Sequence, residues 1–186
     1  MNLQNSKHVH DLVYTALGAV LIVLCSWISI PVEIPFTLQT MAVVFVCALL
    51  GGGRGAVSVL VYILLGAVGV PVFAGMTGGI QKLLGLTGGY IVGFIFTALV
   101  MWGFQKIFGK DDLVWTGVSM VVGIAVCYLF GSLWFYYVYA NNTGAIGIGT
   151  VLAKCVVPFI IPDLVKIALA LFLSRRLRKI LKGKLD

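Results

Sequence analysis

The stretch TVLAKCVVPFIIPDLVKIALALFLS, residues 150–174, decides the fold class. It is long and apolar enough to cross a bilayer as a helix, which takes about 20 residues. Yet it contains Lys154, Asp163 and Lys166, and two prolines, Pro158 and Pro162. Five further apolar runs precede it, at about 12–30, 38–51, 56–69, 89–107 and 114–139. The second and third are short and flanked by glycines, so tilting, breaks or burial by neighbours are expected there. Of the 186 residues, 61% are hydrophobic and only 10% charged, with a mean hydropathy of +1.10. A soluble domain carries roughly a quarter of its residues as charges. The expectation is therefore an all-α integral membrane protein. Six transmembrane helices would form a single membrane domain over residues 1–186, with no room for a soluble one.

The net charge of +7 is distributed in a way that argues against nucleic acid as a partner. Counting spans in order, one side of the membrane receives Lys7, Arg54, Lys106, Lys110, Arg175, Arg176, Arg178, Lys179, Lys182 and Lys184, and the other only Lys82. By the positive-inside rule both termini are cytoplasmic. The tail SRRLRKILKGKLD (174–186) then reads as a basic helix end against anionic headgroups of the lipid bilayer. The polar start MNLQNSKHVH and the full-length span after it do not resemble a cleavable signal peptide. Cys25, Cys47, Cys127 and Cys155 are widely spaced within apolar runs, which suits packing and implies no disulfide, metal or cofactor.

With the termini inside, three connections face outward: IPVEIPFTLQT (30–40), GVPVFAGMTGGIQKLLGLTGG (69–89) and ANNTGAIGIG (140–149). They are richer in glycine and proline than the inward connections GGGRG (51–55) and FGKDDLVW (108–115). Irregular backbone at membrane depth must be buried in protein or line a polar cavity. A pocket or lid on the outer face follows. Small residues at four-residue spacing (Gly75 and Gly79; Gly85, Gly89 and Gly93), with Ala16 and Ala19 in the first helix, suit close helix approach.

A charge in hydrocarbon costs at least about 2.5 kcal/mol, so intramembrane ionisable residues normally face an interior and have a function. Glu33 and Lys82 fall in outer loops, and Lys154 is near enough to an interface to snorkel. Asp163 and Lys166 are deeper, three residues apart and so on one helix face. Proline is at home in a first helical turn, which predicts that residues 150–161 are irregular or kinked and that the helix restarts near Pro162. Asp163 would then meet free backbone N–H groups. The pair could be an internal salt bridge that pins a kink. An ion pair in lipid barely covers its own desolvation, however, which favours recognition of a polar ligand by carboxylate and ammonium together. Thr37, Gln39, Phe73, Tyr90 and Trp134 on the outer segments could complete a site of aromatic walls and a few polar groups. For catalysis the sequence is poor: it has no nucleophile elbow and no HExxH. Gly109-Lys110 and Gly183-Lys184 are followed by Asp111 and Leu185, so there is no Walker A motif.

The motifs IPFTLQT (34–40), GAVGVPVFAG (66–75), TGGYIVGF (87–94) and PFIIPDLVK (158–166) resemble, in order and over nearly the whole chain, those of the biotin-specific S component (BioY) of energy-coupling-factor (ECF) transporters. The resemblance implies the S-component fold, with outer loops covering a ligand pocket, in a multi-pass protein of the bacterial cytoplasmic membrane. It implies a non-enzymatic subunit that captures biotin outside and releases it inside. The work would be driven by a transmembrane coupling protein and two cytoplasmic ATPases. On that reading Asp163 and Lys166 match polar positions of the biotin site, and Gln39, Phe73 and Tyr90 its lining and lid. Family members dock on the coupling protein through an A-x-x-x-A pattern on the first helix. Here Ala16 is followed by Val20, with Ala19 beside it. A stand-alone, ion-coupled vitamin carrier with Asp163 as the titrating group is the alternative.

Overall fold

The computed structural model describes residues 3–30 and 34–181. Pro31, Glu33, Lys182 and Lys184 lie outside the described residues, as does the side chain of Lys7. The elements in chain order are α1 (Leu3–Trp27), β1 (Ser29–Ile30), β2 (Phe36–Thr37), α2 (Gln39–Leu50), α3 (Gly52–Ala67), α4 (Ile80–Leu84), α5 (Gly88–Phe108), α6 (Leu113–Asn142), α7 (Ile148–Cys155) and α8 (Val157–Leu181). The chain is thus mostly helical, with one departure from the all-α expectation. A small antiparallel hairpin pairs Ser29 with Thr37 and Ile30 with Phe36.

Among the described residues, four helical segments are long and apolar enough to cross a membrane: His8–Trp27, Gly88–Phe108, Leu113–Asn142 and Ile148–Leu181. Their outer faces are bare hydrocarbon, with Leu12 74%, Ile107 73% and Ile161 75% exposed. A continuous apolar exterior of this kind is stable only against lipid. This is a multi-pass membrane protein.

The other two apolar helices, α2 and α3, have 12 and 16 residues, or roughly 18 and 24 Å. Beyond its first two residues, α2 (QTMAVVFVCALL) is apolar all round, the mark of a helix enclosed by protein. It packs against α1, α3, α5, α6 and α8 at the centre of the bundle. The α2–α3 turn depends on Gly51, whose φ of 87° a side chain would strain. Gln105 of α5 serves the backbone of this turn from both sides. Its Oε1 accepts from the Gly52 N–H (2.6 Å), and its Nε2 donates to the Cys47 carbonyl (3.1 Å).

The seam between α5 and α6 uses the expected small residues. A Cβ on Gly89 would stand 2.2 Å from the Cβ of Trp134, and one on Gly93 3.0 Å from the Cys127 sulfur. Gly75 and Gly79 serve otherwise: with φ of 71° and 97° they shape the loop between α3 and α4.

The last segment is interrupted within the expected stretch, but its helix restarts earlier than expected. Residues 148–155 are helical, the interruption falls at Val156, and α8 begins at Val157. Pro158 rather than Pro162 occupies the first turn. Pro162 lies inside the helix, where its missing N–H forfeits one bond to the Pro158 carbonyl. The apolar packing of α8 on α2 and α6 outweighs that loss.

Candidate functional site

Asp163 and Lys166, on the inner face of α8, are 3% and 6% exposed. The Lys166 ammonium lies 2.8 Å from Asp163 Oδ1. Because α8 starts five residues earlier than the sequence suggests, Asp163 has no free backbone N–H groups to meet. Its donors come from side chains instead. Thr40, in the first turn of α2, donates to Oδ1 (3.0 Å), and Tyr128 of α6 donates to Oδ2 (2.5 Å). An ionised carboxylate has about four acceptor positions. Three are filled here, which leaves one on Oδ2.

Lys166 is held as fully. It donates to the Thr37 carbonyl (2.7 Å), to Asp163, and at 3.4 Å to Thr40 Oγ1. The last contact is long for a hydrogen bond and is the weakest of the three. The ammonium also stands 4.0 Å from the centroid of the Phe36 ring, within cation–π range. The hairpin accounts for this geometry, because β2 ends on Phe36-Thr37 and so presents a ring and a carbonyl to α8. The Thr37 hydroxyl accepts from the Gln39 N–H (3.2 Å), tying the strand to the start of α2.

The cluster closes one part of a cavity whose wall also carries Phe73, Tyr90, Ile91 and Phe94. Gln39 donates to the hydroxyl of Tyr62, and the Tyr62 ring meets Phe73 edge-on at 5.5 Å. Phe73 itself sits in the α3–α4 loop, clipped by reciprocal backbone bonds with Thr77 (2.8 and 3.3 Å). Its ring lies flat over Gly66, where a Cβ would come within 2.0 Å of Cζ. Tyr90 shares a hydrogen bond with Ser132 (3.1 Å).

Six of the expected residues therefore converge on one cavity: Thr37, Gln39, Phe73, Tyr90, Asp163 and Lys166. Trp134 does not join them. Its indole donates to the Gly85 carbonyl (3.0 Å) and its stem packs on Gly89, so it clasps α6 to the start of α5. Lys82, expected in an outer loop, is half-buried on the short helix α4 and lines the cavity. On α1, Ala16 is exposed but Ala19 is 3% exposed and belongs to the core. The small-residue patch available to a partner thus narrows to Ala16 beside exposed Val20.

Thr40, Tyr128, Phe36 and Tyr62 are the members that sequence reasoning missed. Thr40 and Phe36 lie within the IPFTLQT motif. Tyr128 stands out only as a polar ring in an apolar helix.

The arrangement has the requisites of a small-molecule site. It offers aromatic and aliphatic walls, one open carboxylate lone pair, an ammonium with one weak bond, and a second cation in Lys82.

A model of the BioY family matches residues 1–183. The biotin transporter BioY of Thermotoga maritima is 36% identical over 173 residues, covering 92% of this chain and 98% of that protein. A biotin transporter BioY of Lactococcus lactis is 30% identical over 183 residues, with 94% of each chain covered. Among solved structures, the S-component for biotin from an ECF-type ABC transporter superposes with a TM-score of 0.83 at 28% identity, covering 96% of this chain and 95% of that one. The cavity is therefore embedded in a fold shared with that S-component. This chain belongs to the BioY family.

Proposed function

We propose that this protein is the biotin-binding S component of an ECF-type importer and that biotin occupies the cavity beside Asp163 and Lys166. The observation that carries the reading is the buried Asp163–Lys166–Thr40–Tyr128 cluster, in a chain of this family. Biotin offers two ureido N–H donors and one carbonyl on an apolar bicycle, with an anionic tail. Asp163 has an acceptor position left for a ureido N–H. Lys166 can exchange its long bond to Thr40 for the ureido carbonyl without losing Asp163 or Thr37. Asp163 is thus the direct acceptor, while Lys166 both fixes it and donates. Phe73 and Tyr90 pack on the rings and tail, and Lys82 is the cation for the carboxylate.

The remaining features of the reading are a single domain of six spans, with α2 and α3 as the two short ones, and both termini cytoplasmic. The side bearing Arg54, Lys106, Lys110 and the α8 cations faces inward, in keeping with the positive-inside rule. The exposed α1 face around Ala16 meets a transmembrane coupling protein, and two ATPases supply the energy for release.

Titration calorimetry on the purified protein tests the ligand. One biotin per chain is expected, with Asp163→Asn and Lys166→Ala each weakening binding about 10- to 100-fold, the value of a hydrogen bond to a charged group. Parent-like affinity in both folded variants would remove the assignment of the site. Mass spectrometry that finds another vitamin and no biotin in freshly purified protein would overturn the ligand.

A further inference from the structure

The opposite end of the bundle holds a second cleft, where the last turns of α8 lie against the α5–α6 connection. Lys110, Arg175, Arg178 and Lys179 line it, against two carboxylates, Asp111 and Asp112. Both carboxylates are already engaged. Asp112 caps α6, accepting from the N–H groups of Val114 (2.8 Å) and Trp115 (3.1 Å). Asp111 lies 3.7 Å from Arg178, whose guanidinium also donates to the Lys110 carbonyl. Arg178 is thereby a brace that holds α8 to the connection. Arg175 and Lys179 are exposed, line the same cleft and stand four residues apart on one helix face.

The surroundings give this cleft a depth. The rings of Phe108 and Trp115 stack at 3.8 Å across the ends of the α5–α6 connection, whose residues Lys110 to Asp112 line the cleft. Lys106, on the last turn of α5, stands 4.4 Å from the Trp102 ring. Aromatic side chains of this kind gather at the membrane–water interface. Exposed apolar side chains flank the cations on the same elements: Leu113 at the start of α6, and Leu173 and Leu177 on α8. The cleft combines surplus positive charge at headgroup level with hydrocarbon on both sides. A soluble anion would use only the first of these features.

We propose that this cleft binds the phosphate group of an anionic phospholipid, with Arg175 and Lys179 holding the phosphate oxygens. The acyl chains run along the bare apolar face of α8. The chemistry recognised is a phosphodiester monoanion with no headgroup cation to compensate it, and the flanking hydrocarbon selects the lipid over free phosphate. Basic pockets between membrane helices take such headgroups, each cation near the surface strengthening attraction by about 1 kcal/mol. That corresponds to about fivefold in association per cation.

The test uses the full chain in vesicles of phosphatidylcholine carrying a minor fraction of brominated phosphatidylglycerol or brominated phosphatidylcholine. The readout is the quenching of Trp115 fluorescence, isolated by subtracting the Trp115→Phe protein. Brominated phosphatidylglycerol is expected to quench more strongly. Arg175→Gln combined with Lys179→Gln should abolish the preference, and Arg175→Lys combined with Lys179→Arg should keep it. Arg176, exposed on α8 but outside the cleft, is the control: Arg176→Gln should retain the preference. Equal quenching by the two lipids would overturn the proposal. So would a loss with Arg176→Gln as large as with the cleft variants, which would mean diffuse surface charge. Complete displacement by millimolar inorganic phosphate would assign the cleft to a free anion instead.

Discussion

The Asp163–Lys166 pair is buried at the wall of the cavity, and its contacts separate two roles that a single salt bridge would merge. Desolvating two charges costs several kcal/mol per ion, and mutual attraction repays this only when other hydrogen bonds complete the shells. Here Thr40, Tyr128, the Thr37 carbonyl and the Phe36 ring complete them. Removing one partner strands the other, so Asp163→Leu and Lys166→Met are each expected to destabilise the fold by about 3–5 kcal/mol. The double variant leaves no charge stranded and should recover most of that loss. Biotin binding, which needs the polar atoms themselves, should not return with it. Unfolding of the detergent-solubilised protein, read beside calorimetric titration, checks both halves. If the double variant were as unstable as the singles, the pair would be a structural strut rather than a charge held for a ligand.

Individual elements show why some of this organisation is legible in the sequence and some is not. The long apolar runs, the central burial of α2 and the glycine seam of α5 follow from local composition, because lipid and close packing act on each segment separately. The helix restart does not. Two prolines mark a break, but which of them begins α8 depends on how much apolar surface the earlier turns bury against α2 and α6. The partners of Asp163 are similarly hidden, since Thr40 lies 123 residues away and Tyr128 35 residues away. No local pattern joins them. Two element-level substitutions probe the packing that only the fold reveals. Gly66→Ala would drive a methyl into the Phe73 ring at 2.0 Å, displacing a cavity wall. Biotin affinity should fall about tenfold or more, whereas Gly103→Ala in α5, with nothing within 4 Å of the added methyl, should be neutral or stabilising by up to about 1 kcal/mol. Gln105→Ala would orphan the Gly52 N–H and the Cys47 carbonyl, at about 1–3 kcal/mol for buried polar groups left unsatisfied. Faster hydrogen exchange confined to the α2–α3 turn is the expected signature, and unchanged exchange there would contradict the clamp.

For the molecule as a whole, the two ends of the bundle are built for different neighbours. One carries the hairpin, the Phe73 loop and the cavity; the other gathers Arg54, Lys106, Lys110 and the cations of α8. Between them α1 exposes an unbroken apolar strip through Leu12, Val13, Leu17, Val20 and Leu24, with Ala16 its small member. The resemblance to the family suggested Ala16 and Ala19 as a docking pair, but an i,i+3 step on this helix turns Ala19 into the core. A helix exposes only part of its circumference, and the first helix of a bundle gives no local sign of which residues mark that boundary. This separates two otherwise similar substitutions. Ala19→Trp has no space and should unfold the protein. Ala16→Trp points outward, so stability should stay within about 0.5 kcal/mol of the parent and biotin binding should be unchanged. If the strip around Ala16 is where the coupling protein lies, the bulky ring holds the helices apart, because helix contacts in lipid rely on small residues for close approach. Ala16→Trp should then bind biotin normally yet fail to co-purify with the coupling protein and its ATPases, and ATP-driven uptake into vesicles should be lost. Uptake at the parent rate would move the docking surface elsewhere, and uptake driven by a proton gradient with no ATPase present would replace the importer with a carrier.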